Sequence, residues 1–297
     1  MDKFLQLLVG GIALGSIYAL VALGFVVVYT ATRTFNFSQG GMVLMGAYLT
    51  YQYGDDWGAP FVVAVLAAMA TMAFGAVLIE RVAIRPLVGR PPFVIVLVTL
   101  GVLVVIEQVV RSTWTQPALV MTTPWGNDAS RFGDVTIRHV DFYTVGVTIL
   151  LVVGFVWFYR RSRTGLAMRA AALDQEVAAA NGVNLGRVTG LAWAIAAILG
   201  VVAGVMLTSR GGSALSPGLG FIALRAFPAM ILGGFDSTSG AVAGGLVIGV
   251  AEVMAQGYLT QDFLGSGVEE VVPYVLMVIV LLWRPTGFFG SRTVTRV

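Results

Sequence analysis

Cysteine is absent from this 297-residue chain, and histidine and lysine each occur once. Without cysteine the protein has no disulfide, no thiolate nucleophile and no cysteine-ligated metal site. The single lysine, Lys3, excludes a P-loop, because that motif needs a lysine directly after its glycine-rich turn. Any ATP-driven work must therefore be powered by another chain. The single histidine, His139, has no second histidine beside it, so we expect a loop residue and no metal site.

Charged residues are scarce too, at 11% of the chain, whereas 58% of residues are hydrophobic and the mean hydropathy is +0.88. An ordinary soluble domain has about a quarter charged residues. Several windows contain no charged residue over about the 20 helical residues that cross a bilayer. They are 4–32, 34–54, 57–79, 142–159 and 188–209. Because these runs are continuously apolar, they predict membrane-spanning helices and not barrel strands.

The sequence predicts an all-α fold, a polytopic transmembrane helical bundle with eight or nine spans that include broken or re-entrant segments. Residues 1–297 form a single membrane domain, because no polar stretch is long enough to fold around its own core. The seventh span is short and contains Arg225 and Pro228, which favours a half-helix or re-entrant segment. The predicted spans are 5–30, 38–53, 60–80, 93–111, 142–159, 187–209, 221–235, 239–259 and 269–283.

The arginines indicate the orientation of these spans. By the positive-inside rule, arginine-rich connections are cytoplasmic. They contain Arg81, Arg85 and Arg90, then Arg160, Arg161, Arg163 and Arg169, then Arg284, Arg292 and Arg296. The complementary connections contain Asp55 and Asp56, the segment 112–141, and Asp262, Glu269 and Glu270. The N-terminus is thus expected outside and the C-terminus in the cytoplasm. The net charge of +3 suits anionic lipid headgroups and gives no indication of nucleic-acid binding.

Two polar, glycine-rich breaks are candidates for the lining of a membrane path, because paired interruptions mark midplane pathways in transporters. FNFSQGG (35–41) contains Asn36, Ser38, Gln39 and Gly40. It either lines a path or forms a turn between two helices with Ser38 as N-cap. LGGFDSTSG (232–240) contains Gly233, Gly234 and Asp236. Here the glycines either give an unwound lining or stand beside a helix that Asp236 caps.

Two pairs of charged residues lie within predicted spans, where structural pairing is the expected arrangement. Glu107 and Arg111 stand four residues apart in the favourable helical order, and Arg225 and Glu252 lie in neighbouring spans. Small residues also recur at the spacing of close helix contacts, which favours tight packing of the bundle. They are Gly11 and Gly15, Gly200 and Gly204, Gly240 and Gly244, and Gly245 and Gly249.

One long polar segment predicts an amphipathic cytoplasmic helix over about 164–182. Thr164 can cap it, and Gly182 can end it in a left-handed conformation. Leu166, Ala170, Leu173 and Val177 form its apolar stripe, at spacings of four, three and four residues. The polar face carries Arg169, Asp174, Gln175 and Glu176. This mixed charge favours a protein partner, with the helix in a groove of that partner, over a helix lying on the inner leaflet.

The segment GLAMRAAALDQEVAAANGVN (165–184) resembles the coupling segment of permeases from branched-chain amino acid ABC importers, a family that includes amide and urea permeases. LGSIYALVALGFVVVYTATRTFNFSQGGMVLMGAYL (14–49) and PAMILGGFDSTSGAVAGGLVIGVAE (228–252) are similar to further segments of that family. The family usually has Asn-Phe-Ala-His-Gly where this chain has Asn36, Phe37, Ser38, Gln39 and Gly40. The missing imidazole removes any expectation of proton-sensitive behaviour there.

The resemblance implies a permease subunit in the plasma membrane of a bacterium or archaeon, and not an enzyme. Its implied partners are a homologous second permease, two cytoplasmic ATPases and an extracytoplasmic solute-binding protein, besides membrane lipid. ATP and Mg would be bound by the ATPases, with no cofactor in this chain. By position, the segment from Thr164 to Gly182 would dock in an ATPase groove, with contacts from Leu166, Arg169, Ala170, Leu173, Asp174 and Val177.

The implied solutes are branched-chain amino acids or similar small polar molecules, with urea or short-chain amides as the alternative. A self-contained secondary transporter is a rival from the same class. Acidic residues near the midplane, which a proton- or sodium-coupled carrier usually needs, are sparse. A membrane-embedded enzyme is a rival from another class, but the sequence has no tight cluster of acids or metal ligands.

Overall fold

In the computed structural model, the helices pack into one bundle. Arg292, Arg296 and Asp262, which entered the prediction of orientation, lie outside the described residues. The structure describes residues 2–87, 89–115, 119–126, 128–132, 135–210, 212, 214–259 and 267–290.

The chain folds into helices joined mostly by short turns, with one small hairpin. The helices are α1 (Asp2–Thr32), α2 (Gln39–Tyr51), α3 (Phe61–Ile79), α4 (Pro92–Thr113), α5 (His139–Arg161), α6 (Arg163–Leu173), α7 (Gln175–Ala180), α8 (Leu185–Arg210), α9 (Leu219–Leu224), α10 (Phe227–Gly233), α11 (Thr238–Tyr258) and α12 (Val268–Trp283). π-Helical segments, Gln52–Asp56 and Glu80–Ile84, prolong α2 and α3, and a 3₁₀ turn, Arg85–Leu87, follows the second.

Six helices of the described ranges are long and apolar enough to cross a membrane. They are Lys3–Thr32, Phe61–Leu87, Pro92–Thr113, His139–Arg161, Leu185–Arg210 and Thr238–Tyr258. The other three predicted spans do not form such helices: α2 has 13 residues before its π-helical extension with Asp55 and Asp56, α12 has 16, and 221–235 is divided into α9 and α10. The predicted helical membrane bundle is therefore confirmed, with six full-length helices and the predicted break in the seventh segment.

A two-stranded hairpin between α4 and α5 departs from the predicted all-α class. β1 (Ala129–Phe132) pairs antiparallel with β2 (Val135–Arg138). Both strands lie in the polar 112–141 segment, which the sequence analysis treats as a connection between spans. Outside hydrocarbon, backbone groups need not pair within a single segment, so a short hairpin is allowed there.

The first and eighth helices form the centre of the bundle. In their most apolar windows, 89% of α1 and 78% of α8 are buried, against 22% of α3, 28% of α4 and 17% of α5. α1 packs against both α11 and α8, and α2 also packs against α8. The peripheral helices α3, α4 and α5 present apolar faces outward, as lipid-facing helices do.

Glycines allow the close contact of α1 with α11. A Cβ atom on Gly15 would lie 2.7 Å from the Leu246 Cα, and one on Gly245 would lie 2.5 Å from the Ala19 amide nitrogen. A Cβ atom on Gly249 would overlap the backbone of Gly15. These distances are far below a van der Waals contact, so only glycine allows the backbones to approach this closely. The other predicted small-residue positions, including Gly204 against Val43, also contact neighbouring helices.

Candidate functional site

The predicted amphipathic segment is two helices and not one. α6 ends at Leu173 and α7 begins at Gln175, because Asp174 has extended backbone angles (φ −154°, ψ 113°) and its side chain accepts a 3.0 Å hydrogen bond from the Val177 amide. An aspartate that caps a new helix cannot continue the old one. Ser162, not Thr164, is the N-cap of α6, since its hydroxyl accepts a 2.8 Å bond from the Gly165 amide. Gly182 has a left-handed φ of +84° just beyond α7, as predicted.

The predicted apolar stripe of this segment points away from the bundle. The side chains of Leu166, Leu173 and Val177 are 60%, 87% and 57% exposed, and Ala170 is half-buried. The residues that α6 and α7 bury against the bundle are Gly165, Met168, Ala171 and Ala178. The segment thus rests on the bundle through a separate face, and its larger apolar side chains remain exposed.

Arg169, which is predicted to lie in the partner contact, makes contacts with α5 within this chain. Its guanidinium donates to the Arg160 carbonyl at 3.3 Å and lies 6.0 Å from the centre of the Tyr159 ring. These contacts attach α6 to the end of α5. A role for Arg169 in positioning α6 follows from them, whereas contact with another chain does not.

The break between α6 and α7 is hydrogen-bonded to the end of α1. The Gln175 side chain donates to the Ala31 carbonyl at 2.9 Å, and the Arg33 guanidinium donates to the Ala172 carbonyl. Arg33 has φ +55°, an uncommon conformation for a residue other than glycine. Sequence reasoning missed this link, because no local pattern joins residues so far apart along the chain.

Asn36 and Ser38 are fully buried in the turn that follows α1, at 1% and 0% exposure. The Asn36 side-chain oxygen, Oδ1, accepts hydrogen bonds from the Ser38 backbone amide, at 3.1 Å, and from the Ser38 hydroxyl. Ser38 occupies the N-cap position of α2 but makes no side-chain capping bond. The Phe37 amide donates to the Thr99 hydroxyl of α4 at 3.2 Å. The motif is therefore a turn built on an asparagine, packed inside the bundle.

Gln39 begins α2 in the middle of the bundle, between α1 and α8. Its side-chain nitrogen, Nε2, donates to the Ala196 backbone carbonyl at 3.0 Å, and Gly24 of α1 leaves room for this side chain. Next to it, Gly40 touches the backbone of Gly220 in α9. The Gln39 Oε1 and Asn36 Nδ2 atoms are buried without a hydrogen-bond partner in the described part of the chain. Burying a polar atom without a hydrogen bond costs about 1–3 kcal/mol. Two such atoms in one motif therefore indicate a functional position, because function can justify that cost.

Aromatic side chains bring the two predicted path motifs together. The Phe35 ring stacks on Tyr29 at 5.1 Å, meets Phe227 at 5.5 Å and meets Phe235 at 5.5 Å between ring centroids. Phe37 also contacts Phe227, at 5.1 Å. This aromatic cluster, Tyr29, Phe35, Phe37, Phe227 and Phe235, joins the turn after α1 to both ends of α10.

Gly233 and Gly234 are packed against backbone, and Gly233 is still the last residue of α10. A Cβ atom on Gly233 would overlap Gly240 of α11, and Gly234 (φ +106°) lies against Gly290. The Phe288 and Phe289 amides donate to the Leu232 and Gly233 carbonyls at 2.9 and 3.0 Å, so residues 288–289 satisfy the end of α10.

Asp236 is half-buried next to these glycines, but it is not the cap of the following helix. Ser237 is the N-cap of α11, because its hydroxyl accepts a 3.0 Å bond from the Gly240 amide. A serine is as good a cap as an aspartate, so the two neighbouring candidates could not be separated by residue type.

Both charged pairs named from the sequence lie together in the structure. Arg111 and Glu107 are 2.6 Å apart on α4. Arg225, at the break between α9 and α10, is 3.2 Å from Glu252 of α11, which also accepts a 2.8 Å bond from the Tyr18 hydroxyl.

Sequence reasoning missed one member of this network. Glu270 of α12 is 2.7 Å from the second guanidinium nitrogen of Arg225. The broken helix is thus joined through one arginine to α11 and α12, and through Glu252 to α1.

Comparison with known proteins gives one consistent family. Residues 7–281 match the family model described as branched-chain amino acid transport system / permease component. The chain is 35% identical to the high-affinity branched-chain amino acid transport system permease protein BraD of Pseudomonas aeruginosa and 33% identical to LivH of Escherichia coli K12, covering 99% of this chain and 98% of each relative. It is 29% identical to a probable branched-chain amino acid transport permease protein, LivH of Methanocaldococcus jannaschii, over 96% of this chain and 92% of the relative.

A solved structure shares the fold at low sequence identity. It is PsaBC from Streptococcus pneumoniae in complex with Fab, with a TM-score of 0.50 and 13% identity, over 95% of this chain and 91% of that chain. At this identity the likeness concerns the helical membrane fold alone.

Proposed function

Since this chain belongs to the family of branched-chain amino acid transport system permease components and is a multi-pass membrane permease, we propose that it forms the membrane path for branched-chain amino acids in an ABC importer. In this proposal the chain performs no chemistry on the solute. ATP and Mg are bound by two separate ATPases. A homologous second permease completes the path, and an extracytoplasmic binding protein delivers the solute.

One observation supports this function above the others: an exposed apolar segment is hydrogen-bonded to the turn that carries the candidate path residues. α6 and α7 expose Leu166, Leu173 and Val177. At their junction, the Gln175–Ala31 hydrogen bond holds the end of α1. If an ATPase displaces α6 and α7, this bond would therefore move the end of α1 and the turn that contains Asn36. Coupling requires such an element, with positions that the ATP-bound and empty states favour differently.

The proposed orientation places this segment in the cytoplasm. The arginine-rich ends of α3 and α5 lie on the same side of the bundle as the end of α1, because Arg33 contacts Ala172 and Arg85 contacts the Gly186 carbonyl at 2.8 Å. The positive-inside rule makes that side cytoplasmic. The opposite ends carry Asp55 and the hairpin, and would face outward.

Replacing Leu173 by aspartate tests the docking role. Leu173 is 87% exposed, so the change leaves the permease folded and inserted. Burial of a leucine in a partner groove is worth about 1.5–3 kcal/mol, and a buried unpaired carboxylate adds a further cost. We expect ATPase copurification and leucine uptake to be lost together.

Ala179→Asp is the matched control. It adds the same charge to an exposed position of α7 that points away from Val177. This variant should retain ATPase binding and uptake. Unchanged ATPase binding by Leu173→Asp, or equal loss in both variants, would contradict the docking assignment.

The solute is tested separately, by uptake in cells that lack their own branched-chain amino acid importers. Radiolabelled leucine should accumulate only when this chain is expressed with its neighbouring subunits, and excess isoleucine or valine should compete. Competition by urea or acetamide, without competition by isoleucine, would assign the chain to the amide and urea branch instead.

A further inference from the structure

A groove with three arginines lies where α3 ends and α8 begins. Its volume is about 680 Å³, and its rim carries Arg81, Arg85 and Arg187. Val77 and Leu191 line its apolar part, on the side toward the middle of the two helices. We propose that this groove binds the headgroup and upper acyl chain of one anionic phospholipid. The proposal does not depend on the solute.

The back wall of the groove is built from buried polar contacts. Glu80 is 2% exposed and accepts bonds from the Arg85 guanidinium, at 2.7 and 3.2 Å, and from the Thr189 hydroxyl at 2.8 Å. Arg85 also donates to the Gly186 carbonyl at 2.8 Å. Arg85 is therefore held in place and its charge is balanced by Glu80. Its role is to shape the groove.

The other two arginines leave the groove with excess positive charge. Arg81 and Arg187 are exposed, and neither has an acidic partner within the described ranges. A guanidinium presents paired donors that match the oxygens of a phosphate diester. Two such groups on one rim suit a single phosphate-bearing ligand.

The position of the groove favours a lipid over a soluble anion. α3 ends at Ile79 and α8 begins at Leu185, so the arginines stand at the ends of two membrane-crossing helices, where headgroups lie. Leu191 is 41% exposed and lies further along α8, at the depth of acyl chains. Gly190 also lines this part of the groove, where a Cβ atom would lie 3.8 Å from the Val77 side chain. A ligand with a phosphate and an apolar tail fits both parts.

A lipid in this groove would lie next to the hydrogen bonds that join the α6–α7 segment to the end of α1. Arg85 and Gly186 also line a neighbouring cavity of about 380 Å³, whose other walls include Arg33 and Gln175. Through these shared residues, an anionic lipid would stabilise the position of the α8 start against the α3 end. We therefore expect the lipid to affect transport as well as binding.

Native mass spectrometry tests the proposal on the full-length chain, purified with its copurifying subunits. Phosphatidylglycerol and phosphatidylcholine with identical acyl chains are titrated in parallel. We expect one tightly held phosphatidylglycerol. Arg81→Gln/Arg187→Gln should weaken its binding by about 30-fold, as two lost arginine–headgroup attractions predict, while phosphatidylcholine binding stays the same.

Arg160→Gln/Arg161→Gln is the matched control, because it removes two exposed charges at the end of α5, outside the groove. Equal binding of the two lipids by the wild type, or equal weakening in both double variants, would overturn the proposal. Soluble glycerol phosphate should not displace the lipid at comparable concentrations. If it does, the groove is a site for free phosphate compounds, and the lipid assignment is wrong.

A second variant keeps both arginines and fills the apolar part of the groove. Leu191→Trp is expected to fold, since position 191 is partly exposed, and to weaken phosphatidylglycerol binding by about tenfold through lost acyl contact. Melting in lipid-free zwitterionic detergent checks that the fold is retained. Wild-type affinity in Leu191→Trp would contradict an acyl chain in the groove.

Discussion

Replacing Gly249 by alanine is expected to destabilise the bundle at the contact of α1 with α11. The new Cβ atom would overlap the backbone of Gly15 and would lie 2.9 Å from the Gly11 carbonyl oxygen. Backbone atoms cannot rotate away as a flexible side chain can, so the two helices must separate. Overpacking of this kind costs about 1–3 kcal/mol. Because α1 is the most buried full-length helix of the described chain, little of this cost can be relieved elsewhere.

Gly101→Ala is the matched control for this prediction. Gly101 lies within α4, and a Cβ atom there would meet nothing within 4 Å. Both variants gain the same helix propensity from alanine, so the difference between them isolates the cost of overpacking. Thermal melting in detergent measures it, at about 2–4 °C for each kcal/mol in chains of this size. If Gly249→Ala melts at or above the temperature of Gly101→Ala, the close contact is not formed as described.

Two further substitutions test the ion pairs of Arg225 and the hydrogen bond between Gln175 and Ala31. Arg225→Ala should destabilise the protein by about 3–5 kcal/mol, because it leaves buried Glu252 without its cation. The double variant Arg225→Met/Glu252→Gln should melt at a temperature closer to that of the wild type. An equal fall in melting temperature in both variants would contradict the ion-pair account. Gln175→Ala removes the 2.9 Å bond to the Ala31 carbonyl and leaves the exposed stripe intact. ATPase copurification should therefore persist while uptake falls about fivefold, the effect of about 1 kcal/mol, and unchanged uptake would show that this bond does not transmit motion.

The membrane helices could be predicted because hydrocarbon imposes a simple rule on the sequence. Charge-free runs of about 20 residues favour helices in hydrocarbon, and the runs 4–32 and 188–209 are the buried central helices α1 and α8, whereas the run 34–54 contains a turn before the shorter α2. Shorter elements follow the rule less closely. α2 has 13 residues and α12 has 16, and they differ in burial: most of α2 is buried, whereas α12 buries only Pro273 and Val280.

The candidate site shows where sequence patterns stop being informative. The spacing of Leu166, Leu173 and Val177 predicts an apolar stripe, but periodicity alone does not say whether a stripe faces its own protein or a partner. The alanine-rich context favours one helix, yet the Asp174 side chain offers a competing cap that divides it. The sequence analysis assigned Glu270 to an outward-facing connection, and it did not predict its contact with Arg225. These outcomes depend on tertiary contacts, which no local pattern contains.

The hydrogen bonds from Phe288 and Phe289 also determine when the end of α10 can reach its final structure. During synthesis, Leu232 and Gly233 leave the ribosome long before Phe288 and Phe289, whose amides satisfy their carbonyls. Until then, the Leu232 and Gly233 carbonyls lack the two donors that they have in the folded chain, and other donors must satisfy them. The end of α10 therefore reaches its final hydrogen-bonded state only after residues 288–289 have been synthesised.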